Sequence, residues 1–191
     1  MSRKKNIYIL WILIFTPYLL LIPASLLYFR KLENISNSSF IVINKQEMVL
    51  YHYSYKGDLL QKSPIATGEN FGNKNIKGDL KTPEGVFEAV SIEDASGWSH
   101  DFKDGNGTIE GAYGPYFIRL AVPGQKGIGI HGTHDNASLG KRASEGCIRM
   151  QNENLKQLVR HLAVPVTVLV TPGLPDLLEN KKLQDSLKSI P

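Results

Sequence analysis

The sequence predicts a mainly β domain, a β-sandwich with one or two short helices, preceded by an N-terminal transmembrane helix. Two observations support this prediction. An uncharged segment rich in Leu and Ile runs from Ile7 to Phe29. Most of the remaining chain consists of short segments rich in β-branched and aromatic residues, separated by Gly, Pro and Asn, as is typical of strands joined by turns. At 191 residues, the chain has the length of one domain with appendages.

The N-terminal segment is long enough to cross a bilayer. A helix rises about 1.5 Å per residue, so a helix over Ile7 to Phe29 would cover the roughly 30 Å hydrocarbon core. The alternative is a cleaved signal peptide, but its apolar part usually runs only about 7 to 15 residues, and no Ala-x-Ala site follows here. We therefore expect a short basic N-terminus over 1–6, an anchor over 7–29 and a polar linker over 30–39.

The charge of the folded part argues against nucleic acid as a partner. The formal net charge is +4, from 22 Lys and Arg against 18 Asp and Glu. Five basic side chains precede the first acidic residue, Glu33, and the other 17 are balanced by the 18 acidic ones. A nucleic-acid binder needs a clustered basic face to neutralise phosphates. We therefore expect no nucleic-acid partner.

The folded domain is expected over 40–171. Strands are predicted wherever β-branched or aromatic residues recur, several of them at alternating positions, between turn residues. In chain order the predicted strands are Phe40–Asn44, Glu47–Tyr53, Leu59–Ala66, Gly85–Ser91, Tyr116–Val122, Ile128–His131 and Val164–Val170.

Helices and one long connection complete the domain. A helix is predicted over Asn152–His161, where apolar residues recur at helical spacing and Asn152 can cap the start. After a Pro- and Gly-containing break, the tail over 172–191 is expected to contain a short amphipathic helix. The stretch Ser91–Gly114 is rich in glycine and has no periodicity, and a connection of this length is often functional. We interpret it as a candidate wall of a substrate site.

The single cysteine of the chain, Cys147, stands in the segment Ala-Ser-Glu-Gly-Cys-Ile-Arg-Met, which follows His131. A lone cysteine or histidine is more often structural, but together they suggest nucleophilic catalysis. A thiol attacks as its thiolate and needs a neighbouring base, which His131 can supply. The glycines between the two residues, among them Gly132 and Gly146, allow the chain to loop back and place the thiol beside the imidazole.

Residues next to Cys147 predict how a substrate is held. In an extended segment, Arg149 projects to the same side as the thiol and can clamp a carboxylate with two hydrogen bonds. The backbone amides of Gly146 and Cys147 could form an oxyanion hole. A zinc site from His131, His134 and Cys147 is the competing interpretation. The chain lacks a convincing fourth ligand, so we expect neither a metal nor a cofactor.

These residues resemble the L,D-transpeptidase catalytic domain, often called the YkuD domain. Its motif runs from a His-Gly through a loop to Ser-x-Gly-Cys-hydrophobic-Arg, which corresponds here to His131-Gly132 and to the segment from Ser144 to Arg149. Upstream, Ala66-Thr67-Gly68 and the Lys-Thr-Pro-Glu-Gly-Val-Phe stretch that begins at Lys81 are similar to further motifs of that family. The resemblance covers about 40–171.

The resemblance implies an L,D-transpeptidase fold with Cys147 as nucleophile, His131 as base oriented by the carbonyl of Gly132, and substrate contacts from Ser144 and Arg149. In this family the thiolate attacks the third residue of a peptidoglycan tetrapeptide stem, expels D-alanine and passes the acyl group to an amine on another stem. That substrate lies outside the bacterial cytoplasmic (inner) membrane. We therefore expect a single-pass protein whose catalytic domain is on the periplasmic, extracytoplasmic side.

One position departs from the pattern, because many members have histidine where this chain has Glu145. A carboxylate beside the thiol would raise the pKa of Cys147. Two alternatives to transpeptidation remain open. In an L,D-carboxypeptidase, water resolves the same acyl-enzyme; in a non-catalytic wall-binding module, an intact Cys147 and His131 would have no role. The acceptor amine and the oligomeric state are open as well.

Overall fold

Of the 191 residues, the computed structural model describes numbers 23, 25–28, 38–103, 105 and 107–188. The chain separates into two units, and the folded domain begins at Ser39. Most of the predicted transmembrane helix over Ile7–Phe29 lies outside the described residues. In the part of the chain that is described, no helix has both the length and the apolarity needed to cross a bilayer.

The predicted β-rich class is confirmed, with few helices. Side chains of the strands alternate between the core and the surface, as the period of two requires. The strands are β1 (Ser39–Asn44), β2 (Val49–Ser54), β3 (Leu59–Gly68), β4 (Gly85–Asp94), β5 (Ser99–Asp101), β6 (Thr108–Glu110), β7 (Tyr116–Leu120), β8 (Gly129–His131), β9 (Arg142–Ser144), β10 (Ile148–Met150) and β11 (Val166–Thr171). The α-helices after β10 are α1 (Asn152–His161) and α2 (Leu174–Lys188).

The large sheet differs from the expected sandwich in that its two ends meet. Its strands follow the order β10-β8-β7-β4-β11-β1-β2-β3-β9, and β10 also pairs with β3, where Arg149 lies opposite Ala66. The layers are therefore parts of one continuous sheet that closes through β10. Closure satisfies backbone groups that two open edges would leave unpaired.

The core lies between the faces of this closed sheet. Ile41, Ile65 and Ile130 are fully buried there, as are Leu155 and Leu158 of α1. The predicted helix over Asn152–His161 is confirmed with the same bounds.

The predicted cap of α1 is wrong. Gln151 occupies the N-cap position and makes no side-chain capping bond. The side chain of Asn152 instead accepts a hydrogen bond from the backbone amide of Thr133, at 2.9 Å. The asparagine therefore holds the chain that follows β8 rather than the start of its own helix.

The connection predicted over Ser91–Gly114 contains more regular structure than its glycines suggest. Its first residues extend β4 as far as Asp94, and β5 and β6 pair with each other as a separate two-stranded hairpin. The hairpin pairs Ser99 with Glu110 and Asp101 with Thr108.

A buried ionic cluster attaches α2 to the rest of the domain. The Nζ of Lys45 lies 2.6 Å from Oε1 of Glu84 and 3.0 Å from Oδ1 of Asp176. Oδ2 of Asp176 lies 2.6 Å from Nη2 of Arg142, and its Oδ1 accepts a hydrogen bond from the amide of Gly72. Buried charges are tolerated only when they are paired in this way. Because Arg142 begins β9, the cluster connects α2 to the strand that leads to Cys147.

We expect Asp176→Asn to lower the free energy of unfolding by about 3 kcal/mol or more, because it leaves buried cations without their carboxylate. Urea denaturation of the folded domain measures the change. Asp185→Asn is the matched control, since Asp185 is exposed on the same helix. Equal stability of the two variants would show that the cluster contributes nothing.

Candidate active site

His131, the last residue of β8, is buried and fixed in orientation. Its Nδ1 lies 2.7 Å from the carbonyl oxygen of Gly132. A carbonyl only accepts, so Nδ1 carries the proton and Nε2 keeps its lone pair. The imidazole stacks on Phe117 at 5.6 Å and lies 4.8 Å from the ring of Tyr113, centroid to centroid. The contact with the Gly132 carbonyl, implied by the family resemblance, is therefore present.

Gly132 is required for close packing beside the histidine. A Cβ at this position would lie 2.1 Å from Oδ1 of Asn152 and 2.9 Å from Cα of Gly114. Both neighbours are fixed, Asn152 through its bond to the Thr133 amide. Any larger residue would displace the chain that positions the imidazole.

Strand register brings Cys147 and His131 to the same side of the sheet. Strands β8 and β10 are parallel, with Ile148 opposite Ile130 and Arg149 opposite His131. Both isoleucines point into the core, so the residues beside them point to the other side. Cys147 directly precedes β10 and is diagonal to His131, which corresponds to about 8 Å between Cα atoms from ordinary strand spacings. The register therefore places the two predicted catalytic residues within side-chain reach.

Burial keeps the thiol protonated. It raises the pKa of Cys147 to about 11, against a backbone hydrogen bond from Gly129 and the charge of Arg149, which lower it. The carboxylate of Glu145 raises this pKa further, in the direction expected from the sequence. The sulfur lies 3.3 Å from the carbonyl oxygen of Gly127, which accepts the S–H hydrogen.

The imidazole is neutral for the same reason. Burial lowers the pKa of His131 to about 3, although the hydrogen bond to Gly132 favours the charged form. The positive charge of Arg149 lowers this pKa further. At neutral pH the resting site thus holds a thiol and a free base, not a thiolate and an imidazolium.

The loop before Cys147 is held by two hydroxyl groups. Oγ of Ser144 donates to the carbonyl of Cys147 and accepts from the amide of Gly146 at 3.1 Å. Oγ1 of Thr82 donates to the carbonyl of Gly146 at 2.9 Å and accepts from the amide of Gly68 at 2.7 Å. In the sequence Thr82 was noted only within a stretch similar to the family's, and no local signal indicated its bond to Gly146, which lies 64 positions away.

Two sequence expectations change as a result. The amide of Gly146 is already bonded to Ser144, so in this structure it is not the free oxyanion donor that was expected. Ser144 is buried and both of its hydrogen bonds go to the loop, which makes it a positioning residue here rather than a substrate contact. Of the two amides expected to form an oxyanion hole, that of Cys147 remains the candidate donor.

Arg149 is a buried cation two residues after Cys147. Only 7% of its surface is exposed, and its guanidinium lies 4.8 Å above the ring of Phe102. Among the residues that the structure describes, none forms an ion pair with it. Burial lowers the pKa of Arg149, while the nearby Cys147, Asp135 and Glu145 raise it. A buried, unpaired guanidinium is costly, so this position favours an anionic ligand.

The β5–β6 hairpin folds over this site. Nε2 of His100 lies 3.0 Å from Oε2 of Glu145, and the hydroxyl of Tyr113 lies 3.2 Å from Nδ1 of the same histidine. The ring of Phe102 contacts that of His134, with centroids 5.3 Å apart. The hairpin thus contacts both chain segments that carry the predicted catalytic residues.

Two cavities border the carbonyl that contacts the thiol. One, of about 330 Å³, lies under the hairpin and is lined by Trp98, Ser99, Tyr113, Phe117, Arg119 and Gly127. The other, of about 470 Å³, is lined by residues of 119–127. Gly127 lines both cavities, whereas Cys147, His131 and Arg149 line neither.

The described residues contain no group of three or more His, Cys, Asp or Glu side chains that could hold a metal ion. His134, which was weighed as a zinc ligand with His131 and Cys147, packs on the ring of Phe102.

Comparisons with known proteins point to one family. A family model described as the L,D-transpeptidase catalytic domain (YkuD) matches residues 38–170. A putative L,D-transpeptidase YkuD from Bacillus subtilis is 44% identical over 105 residues, covering 55% of this chain and 49% of that protein. The corresponding Bacillus licheniformis protein is 31% identical over 119 residues, covering 62% and 58%. The chain thus spans about half the length of these relatives.

Solved structures agree with the fold. The helical cell shape determining protein Pgp2 from Campylobacter jejuni is 28% identical, with a TM-score of 0.51, covering 71% of this chain and 48% of that chain. The catalytic domain of an Enterococcus faecium L,D-transpeptidase is 21% identical, with a TM-score of 0.52, covering 71% of this chain and 98% of that one. The second likeness shows the fold alone.

Because burial raises the pKa of Cys147 to about 11, alkylation of the thiol should lack a plateau near neutral pH. We expect the rate of labelling by iodoacetamide to rise about tenfold per pH unit between about pH 6 and pH 9, since only the thiolate reacts. Cys147 is the only cysteine, so the labelled site is unambiguous, and Cys147→Ala provides the blank. A rate that levels off with a midpoint between pH 5 and 8 would indicate a resting thiolate–imidazolium pair.

Proposed function

Because the chain belongs to the L,D-transpeptidase catalytic domain family, we propose that it is a peptidoglycan L,D-transpeptidase with Cys147 as nucleophile. The observation that supports the proposal most is the register of β8 and β10, in which Arg149 lies opposite His131 and Cys147 comes directly before β10. The substrate is a tetrapeptide stem, and the products are D-alanine and a stem joined to an amine acceptor.

In the first half-reaction, Nε2 of His131 takes the proton of the thiol as the sulfur attacks the carbonyl carbon of the third stem residue. The backbone amide of Cys147 stabilises the oxyanion that forms. When the C–N bond breaks, His131 returns the proton to the leaving amine, and D-alanine departs. A neutral imidazole with its lone pair on Nε2 is the form that this step requires.

Arg149 supplies the anion site of the same cleft. A stem carboxylate that reaches its guanidinium would form the ion pair that Arg149 makes with none of the described residues. The ring of Phe102 covers one face of the guanidinium. The substrate would thereby be oriented with its C-terminal residue toward the thiol.

In the second half-reaction, an amine attacks the thioester, and water competes for it. The outcome depends on the local concentration of the amine and on how well water is kept away. The hairpin supports transfer, because it covers the site through His100 and Phe102. The L,D-carboxypeptidase, in which water wins this competition, is the second candidate, because Cys147 is only partly buried and water can reach its thioester.

Cys147→Ala should abolish the acyl-enzyme, and His131→Ala should slow its formation by at least about 100-fold, the usual contribution of a positioned base. Mass spectrometry of the protein after mixing with a purified disaccharide-tetrapeptide measures both effects. His134→Ala is the matched control, because His134 is exposed and has no assigned role in the chemistry. An adduct of equal yield on wild type and Cys147→Ala would mean that the nucleophile is misassigned.

Replacing residues 99–110 with a short glycine-serine turn should shift the products toward free tripeptide, since the thioester loses its cover against water. The measured quantity is the ratio of exchange product to tripeptide in the presence of a D-amino acid. The intact enzyme is expected to give exchange in excess of hydrolysis. If it yields tripeptide alone at high acceptor concentration, the carboxypeptidase takes the place of the transferase.

A further inference from the structure

Opposite charges flank the nucleophile at two-residue spacing. Glu145 precedes Cys147, and Arg149 follows it. Both charges act on the thiol: the carboxylate of Glu145 raises the pKa of Cys147, and the guanidinium of Arg149 lowers it. They differ in access: the side chain of Glu145 is 51% exposed, whereas Arg149 is almost fully buried.

The hairpin orients the carboxylate of Glu145. When the hydroxyl of Tyr113 donates to Nδ1 of His100, Nε2 carries a proton and donates it to Oε2 of Glu145. Oε1 of Glu145 makes no hydrogen bond with any residue in the described part of the chain. A carboxylate oxygen therefore stays available to a ligand at the rim of the site.

The proposed reaction needs a place for an amino acid. The leaving D-alanine carries its carboxylate and its newly formed amine on one carbon. The acceptor amine attacks the carbonyl carbon of the thioester, which is the carbon that the amine of D-alanine left. Transfer is therefore the reverse of the first half-reaction, with the acceptor in place of D-alanine. A site that held the leaving amino acid would then favour an acceptor with the same two charges.

We propose that Glu145 and Arg149 form a subsite for an α-amino acid group, Arg149 binding its carboxylate and Glu145 its ammonium. This inference rests on the proposed transpeptidase function and names its acceptor class. After D-alanine leaves, an acceptor with a free amine and carboxylate on one carbon takes its place. Glu145 is then a specificity-determining residue that favours amino acids over water and over uncharged amines.

In the transfer step the acceptor nitrogen loses two of its three protons. The bound ammonium releases one proton to solvent beside the exposed Glu145, and the nitrogen lone pair forms the new C–N bond. The C–S bond breaks, and a second nitrogen proton passes through His131 to the sulfur of Cys147. The third proton stays on the new amide.

Acceptor competition tests the subsite. Acyl-enzyme formed from a disaccharide-tetrapeptide is offered D-methionine, D-methionine amide or hydroxylamine, and each product is measured against the tripeptide formed in the same reaction. Wild type should capture D-methionine at least about fivefold better than its amide, which lacks the carboxylate. Glu145→Gln should raise the KM for D-methionine about fivefold relative to that for hydroxylamine, the scale expected of a half-exposed charge pair.

Two further variants serve as controls. Glu145→Asp keeps the charge and should retain most of the preference. Glu110→Gln removes a carboxylate from an exposed position of the same hairpin and should leave the ratio within about twofold. An unchanged ratio of D-methionine to hydroxylamine capture in Glu145→Gln would overturn the inference alone. Failure of wild type to form any acyl-enzyme would overturn the proposed function as well.

Discussion

The active site depends on the double pairing of one short strand. Strand β10 pairs in parallel with β8 and antiparallel with β3, which closes the sheet and sets Arg149 between His131 and Ala66. Because side chains alternate along a strand, this one register puts Cys147 and Arg149 on the side that His131 faces. A shift by one residue would turn thiol and guanidinium into the core, so the sheet's packing and the chemistry are specified together.

Support for that strand comes from parts of the chain that are far apart in sequence. The hydroxyl of Ser144 accepts a hydrogen bond from the amide of Gly146, and the hydroxyl of Thr82 donates one to its carbonyl. Both bonds hold the loop directly before Cys147. Behind them, the pairing of Asp176 with Arg142 and Lys45 ties β9 to the C-terminal helix. Cys147 is thus positioned by residues that have no role in the proposed chemistry, as precise active sites require.

Burial sets the protonation states of the site. It keeps the thiol protonated and the imidazole neutral, so in the proposed reaction proton transfer accompanies nucleophilic attack instead of preceding it. The charges of Arg149 and Glu145 then act in opposite directions on the thiol. Of these two effects on the pKa of the thiol, the lowering by Arg149 is the larger.

The sequence alone predicted seven of the eleven strands that the structure describes, helix α1, and the grouping of Cys147, His131 and Arg149, because periodicity, turn residues and motif spacing are local properties. It could not predict that β10 closes the sheet by pairing with β3, or that the hydroxyl of Ser144 accepts a hydrogen bond from the amide of Gly146. Nor could it predict that the glycine-rich connection folds into a hairpin over the site. Those features depend on which distant groups meet. The bond from Gly72 to Asp176, for example, joins residues 104 positions apart, and only the packed tertiary structure selects such partners.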